Sequence, residues 1–173
     1  IDQLSDDELL RQAQVMTQLG EISLNQLEYG EAFSAFEQAY ERGAALSAAR
    51  PQDGERLFNR GQSEFWIGFV LMREGKLSEA REWFERYLQT GLTLYALDPA
   101  RDDWMLEVAY GHHNIAALDE TAGDLDSAVA GFARSREVYE ALMQRSPDVD
   151  YTLEIADLVS WEGRVAQVQG DLE

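Results

Sequence analysis

The sequence predicts an all-α solenoid of antiparallel helical hairpins, with about seven long helices, and three observations predict it. First, residues return every 48 positions: Pro51, Pro99 and Pro147; Ala32, Ala80 and Ala128; Phe36, Phe84 and Phe132; Gly20, Gly68 and Ala116. A repeat of that length marks stacked units, each hiding its apolar flank behind the next. Second, between the turns the apolar residues recur at helical spacing. Third, no stretch alternates apolar and polar residues between turn dipeptides, as a half-buried strand would.

The elements follow in order. Ser5-Asp6-Asp7-Glu8 is a capping-box pattern, in which Ser5 and Glu8 satisfy each other's free amides at a helix start. The first copy's second helix stops before Pro51-Gln52-Asp53-Gly54. In the second copy a helix runs from Arg56 to Met72, carried by Leu57, Phe58, Phe65, Trp66, Phe69 and Val70. Gly75 ends it, since glycine takes the left-handed conformation cheaply. The next helix holds Leu77, Ala80, Trp83, Phe84, Tyr87, Leu88, Leu92, Leu94 and Tyr95, and Asp98-Pro99 stops it because the residue before proline disfavours helix. The third copy repeats this: about Trp104 to Thr121, a turn at Ala122-Gly123-Asp124, Leu125 to about Arg145, and a break at Ser146-Pro147-Asp148. The fourth offers one helix, about Tyr151 to Gln169, with Gly163 and Gly170 one residue early.

The expected organisation is a single repeat domain over residues 1–173, with copies at about 5–52, 53–100 and 101–148 and a half copy at 149–173. The start at Ile1 and the half copy at the end lead us to expect a piece of a longer protein.

The residues inside each copy resemble the tetratricopeptide repeat, in a long-helix variant. That family sets a small residue in helix A against one early in helix B, which here would be Gly20 with Ala32, Gly68 with Ala80 and Ala116 with Ala128, Gly163 being half of a fourth pair. Phe36, Phe84 and Phe132 match its helix B aromatic, and Gly75, Gly123 and Gly170 its turn glycine. The departures are the 48-residue length in place of the usual 34, the loss of the early helix A aromatic (Met16, Glu64, His112 and Val159 stand there), and Leu27 at the first turn. The resemblance implies a right-handed superhelix whose A helices line a concave side. It also implies groove positions: Gln14, Thr17, Glu21 and Leu24; Gln62, Phe65, Phe69 and Met72; Tyr110, His113, Ala117 and Glu120; Asp157, Ser160, Arg164 and Gln167. Among these, the peptide-binding residues are expected to be Gln62, Phe65, Phe69, Met72, Tyr110 and His113. The competing reading of the Phe65, Phe69 and Met72 set is core packing, because apolar stripes at helical spacing usually face inward.

Composition bounds the partners. The net charge is −19, from 33 acids against 14 bases, and no Lys/Arg cluster is present to hold a phosphate backbone. Nucleic acid and an anionic membrane surface are therefore not expected, while a basic protein or peptide is favoured. The longest apolar run, Phe65 to Met72, is far short of the roughly 20 residues of a membrane helix. With no cysteines, thiolate metal sites and disulfides are excluded. His112 and His113 are adjacent and point in different directions on a helix, so no metal site is expected. Trp66, Trp83, Trp104 and Trp161 read as packing residues with their N–H groups near polar edges. No phosphate-cradling glycine loop and no nucleophile motif occurs, so no catalytic residue and no cofactor are expected.

The expected function is a non-catalytic protein- or peptide-binding scaffold; the sequence leaves the compartment undetermined and favours the cytoplasm. The alternatives are a regulatory or sensor domain of a larger signalling or transcription protein, and an oligomerisation element. Self-association is expected through the last helix, whose stripe of Leu158, Trp161, Val165 and Val168 lacks a partner B helix.

Overall fold

Seven helices form where the apolar spacing and the caps call for them, and the computed structural model describes residues 4–172. They are α1 (Asp6–Asn25), α2 (Tyr29–Ala49), α3 (Gly54–Arg73), α4 (Leu77–Leu97), α5 (Asp102–Ala122), α6 (Leu125–Arg145) and α7 (Thr152–Leu172). No strand occurs among the described residues. This is the all-α helical-repeat class that the sequence predicts.

Caps and turns explain the boundaries. Glu8 Oε2 accepts from the Ser5 backbone N–H at 2.8 Å, and the Ser5 hydroxyl oxygen accepts from the Glu8 N–H at 3.4 Å. Asp53 and Asp124 cap α3 and α6 by accepting from the N–H groups of Arg56 and Ser127. Gly75 and Gly123 take φ of 79° and 82°, the left-handed conformation that lets the chain reverse. Leu27 does the same work at φ 63° without glycine's freedom. Gly170, expected at a turn, lies inside α7.

The chain divides into two compact units at Thr90/Gly91, within α4. In the first unit α1 packs on α2 and α2 on α3. The helix A glycines have a more specific purpose than the expected small-residue pairs. A Cβ on Gly20 would lie 2.6–2.8 Å from the ring of Phe36, and one on Gly68 would lie 2.8 Å from the ring of Phe84. Each glycine is thus the hollow that receives a fully buried helix B phenyl ring. At the other end of α3, Gly43 of α2 approaches the backbone of Arg60 at 3.4 Å, measured from its would-be Cβ. Between α3 and α4 lies a buried polar cluster: Thr90 donates to Glu64 Oε2 at 2.6 Å, and Arg60 Nε sits 3.0 Å from Glu64 Oε1. Burial pushes the Glu64 carboxyl above its ordinary pKa, opposed by the bonds from Thr90 and Arg60.

In the second unit α5 packs on α6 and α6 on α7 around Ala109, Ala116, Ala128, Phe132, Tyr139 and Leu158. Here the hollow has moved. Ala116 replaces the glycine, and Gly131 compensates, since a Cβ on it would meet the Ala116 Cβ at 2.8 Å. Asp102 is bound by Arg145 and by the Ser146 hydroxyl, which ties the α6 end to the α5 start. The α7 stripe is largely covered: Leu158 and Val165 are buried, Trp161 stacks on Phe132 at 5.5 Å, and Val168 stays exposed. A Cβ on Gly163 would meet nothing within 4 Å outside its own helix backbone. Trp104 departs from the expectation for the tryptophans, because its buried Nε1–H has no hydrogen-bond partner.

Candidate functional site

The open feature of the first unit is a groove between α1 and α3 with α2 as its floor. Its volume is about 510 Å³. Leu10, Ala13, Gln14, Thr17, Gln18 and Glu21 of α1 form one wall, and Arg56, Asn59, Gln62, Ser63 and Trp66 of α3 the other. Ala39, Gly43 and Leu46 of α2 make the floor. Residues three and four apart share a helix face, so Asn59, Gln62, Trp66 and Phe69 form one row along α3. The same spacing aligns Gln14, Thr17, Gln18 and Glu21 on α1.

Four carboxamides therefore face the groove from two helices: Gln14, Gln18, Asn59 and Gln62. Each carries both a donor and an acceptor, which is what a peptide unit needs. Thr17 donates its hydroxyl hydrogen to the Ala13 carbonyl at 3.1 Å, and so presents oxygen lone pairs outward. Glu21 supplies negative charge. Arg56 is held by Asp6 at 2.9 Å and by Asp53 at 3.0 Å, so its charge is answered within the unit.

Beyond Trp66 the wall continues into a second recess of about 400 Å³, lined by Leu24, Asn25, Leu27, Tyr29, Trp66, Phe69 and Arg73. Trp66 borders both recesses. It is half-buried and lies parallel to Phe36 at 5.4 Å, with an interplanar angle of 6°, so one face of the indole is backed by the core. Phe69 stands edge-on to it at 5.9 Å. The site thus has an amide-rich end and an aromatic-aliphatic end, joined at one indole.

The expected site residues divide as follows. Gln62 lines the main groove and Phe69 the second recess. Phe65 is half-buried, with its ring 6.3 Å from Phe84 and 5.7 Å from Tyr87 on α4, and it touches Phe69 at 6.1 Å. Met72 is half-buried and lines neither recess. Tyr110 and His113 belong to the second unit. Tyr110 is exposed and meets Tyr139 edge-on at 6.5 Å; His113 is half-buried and meets Phe132 at 5.5 Å, and burial pushes its pKa down. Gln14, Thr17, Glu21 and Leu24 line the recesses as the repeat register implies. Trp66 packs on Phe36, as the sequence predicts, and also borders both recesses, a position signalled by its spacing, four residues after Gln62 and three before Phe69.

Gly43 leaves its place on the groove floor without a side chain. Its repeat equivalent in the second unit is Tyr139, which is buried and packs against Tyr110 and Tyr151. Where α2 places no side chain, α6 places a phenol whose pKa is raised, first by burial and then by neighbouring Tyr110. Among the described residues no three His, Cys, Asp or Glu side chains converge as a metal ion would require. No described helix is long and apolar enough to cross a membrane.

No protein-family model matches the chain, and no curated protein matches it. Among solved structures the chain is similar to a crystal structure of MamA protein, at 12% identity and a TM-score of 0.31, over 90% of this chain and 91% of that one. It is also similar to the MamA RS-1 ArsTM double mutant, at 11% identity and a TM-score of 0.25, over 91% of this chain and 96% of that one.

Proposed function

We propose that this chain is a non-catalytic protein- or peptide-binding module of the tetratricopeptide kind, and that the α1/α3 groove takes the bound segment. The observation that carries this reading is the groove itself: two A helices hold four carboxamides over a floor that Gly43 leaves empty. Carboxamides on both walls suit the backbone of an inserted segment. The Trp66–Phe69–Leu27 end suits one apolar or aromatic anchor, the arrangement that concentrates affinity in few residues. Phe65 belongs to the site as the ring behind Phe69, and the net charge of −19 favours a basic segment. Tyr110 and His113 offer a second contact area on the other unit.

The test is a display selection of random peptides against the intact chain, followed by affinity measurements on Gln62→Arg and Phe69→Ser. The groove reading expects both variants to weaken the selected peptides by at least about tenfold while the melting temperature holds. Peptides that bind both variants as well as the parent would place recognition elsewhere.

A further inference from the structure

Three charged side chains line the two recesses of the first unit: Glu21, Arg56 and Arg73. They are not equivalent. Arg56 is held by Asp6 and Asp53. Glu21, on the main groove, and Arg73, on the second recess, are exposed, and neither has an ion-pair or hydrogen-bond partner among the described residues. Glu74, the neighbour of Arg73 in sequence, is taken by Lys76 at 2.9 Å. The groove therefore keeps one open negative charge and one open positive charge.

The helices set the distance between them. Gly20 seats the Phe36 ring, and that ring stacks on Trp66, so Glu21 stands at the level of the indole. Arg73 follows Trp66 on α3 by about two turns, or about 10 Å, with Phe69 between them on the same face. An extended chain covers about 3.3–3.6 Å per residue. The place for a cation and the place for an anion are thus about three residues of extended chain apart. Between them lies the apolar surface of Trp66, Phe69, Leu24 and Leu27.

We infer that the groove selects a charge-polarised segment of a partner protein: a Lys or Arg at Glu21, an apolar or aromatic anchor against Trp66 and Phe69, and an Asp or Glu side chain at Arg73. The inference rests on the α1/α3 groove being the binding site and adds the order of chemistry along it. Charge complementarity names the occupant. A purely basic segment, which the net charge of −19 alone would favour, meets Arg73 as a like charge. A purely acidic one meets Glu21 and the field of the whole chain. The repulsive element discriminates as much as the attractive one. A second copy of this chain is opposed by the same net charge.

The probe is a random-peptide display library, selected in parallel on the parent chain, on Arg73→Glu and on Glu21→Arg, with circular dichroism to confirm that each is folded. Peptides taken by the parent should carry a basic and an acidic residue about three apart, with an apolar residue between. Peptides taken by Arg73→Glu should exchange the acid for a base and keep the rest; those taken by Glu21→Arg should exchange the base for an acid. In fluorescence anisotropy each reversal should weaken a parent-selected peptide by about threefold to tenfold, as an exposed ion pair becomes a repulsion, and the peptide with the matching charge reversed should recover that loss. Added salt should shrink the difference. Parent-selected peptides that ignore Arg73→Glu but are weakened by Phe69→Ser would overturn the inference and leave the groove as the site. An acid preference that vanishes when the peptide's C-terminus is amidated would also overturn it, since a terminal carboxylate would then be the group at Arg73. Peptides that ignore Phe69→Ser as well, or a selection that yields none, would remove the groove and the inference together.

Discussion

The hollow at repeat position 68 makes an experiment in which one substitution type changes sign along the chain. Gly68→Ala adds a Cβ 2.8 Å from Phe84 Cδ1 and Cε1 and 3.3 Å from Cγ. Carbon contacts are comfortable at about 3.5–4.0 Å, so three ring atoms are overlapped at once. The ring is fully buried, with α3 on one side, and cannot swing away. Overpacking of this kind costs about 1–3 kcal/mol, and a triple contact with a fixed ring belongs in the upper half of that range. Alanine returns roughly 1 kcal/mol of helix propensity, which leaves a net loss of about 1–2 kcal/mol. At Gly163, the matching position on α7, a Cβ would meet nothing within 4 Å outside its own helix backbone. There Gly163→Ala keeps the propensity gain of about 1 kcal/mol whole. For a chain of this size each kcal/mol moves the melting temperature by about 2–4 °C. Calorimetry should show Gly68→Ala melting lower than the parent. Because repeat arrays loosen from their ends, hydrogen exchange in α7 should show Gly163→Ala slowed. A Gly68→Ala chain as stable as the parent would refute the claim that the glycine exists to seat the ring.

Three further outcomes follow from the same geometry. Gly131→Ala should cost about 1–3 kcal/mol in urea unfolding, and Ala116→Gly should recover most of it in the double variant, because the clash is between those two Cβ positions. Leu27→Gly should raise stability by about 0.5–1 kcal/mol, since a leucine at φ 63° is strained and this one is mostly exposed; a lower melting temperature would mean its side chain matters more than its backbone. Burial raises the Glu64 pKa, so this group's stabilising contribution is present below the ordinary glutamate value of about 4.3 and is lost as pH rises through the raised one. The stability difference between parent and Glu64→Gln should therefore fall from acid towards neutrality, and a difference that grows with pH would contradict the assignment.

Much of the fold was legible because its punctuation is local. Pro51, Pro99 and Pro147 stop helices whatever surrounds them, and Gly75 and Gly123 supply the left-handed turn that their positions require. Gly170 misled because a turn glycine and a helical glycine look alike in sequence, and only the chain beyond can say which it is. The helix A glycine also seats a ring four residues beyond its expected small partner, Phe36 beside Ala32. Both are buried, and spacing alone does not reveal which one reaches across. Helical spacing carries enough face information to put Gln14, Thr17, Glu21 and Gln62 beside one recess. Trp66 satisfies both readings, because a tryptophan can stack on the core with one face and border a recess with the other.

The contrast between Gly43 and Tyr139 shows how a repeat protein can vary one surface without altering its brick. The three B helices carry Gly43, Gly91 and Tyr139 at the same place. The two glycines let the next A helix come close: their would-be Cβ atoms lie 3.4 Å from the Arg60 backbone and 3.1 Å from that of Glu107. A tyrosine cannot do that. At the third copy the next A helix is aligned one residue early, and the phenol lies against Tyr110 and Tyr151. The residue at this place on a B helix thus bears on how closely the following helix is seated. The recess is shaped at floor positions as much as at wall positions, and a search confined to the exposed faces of α1 and α3 passes over Gly43, which leaves it open.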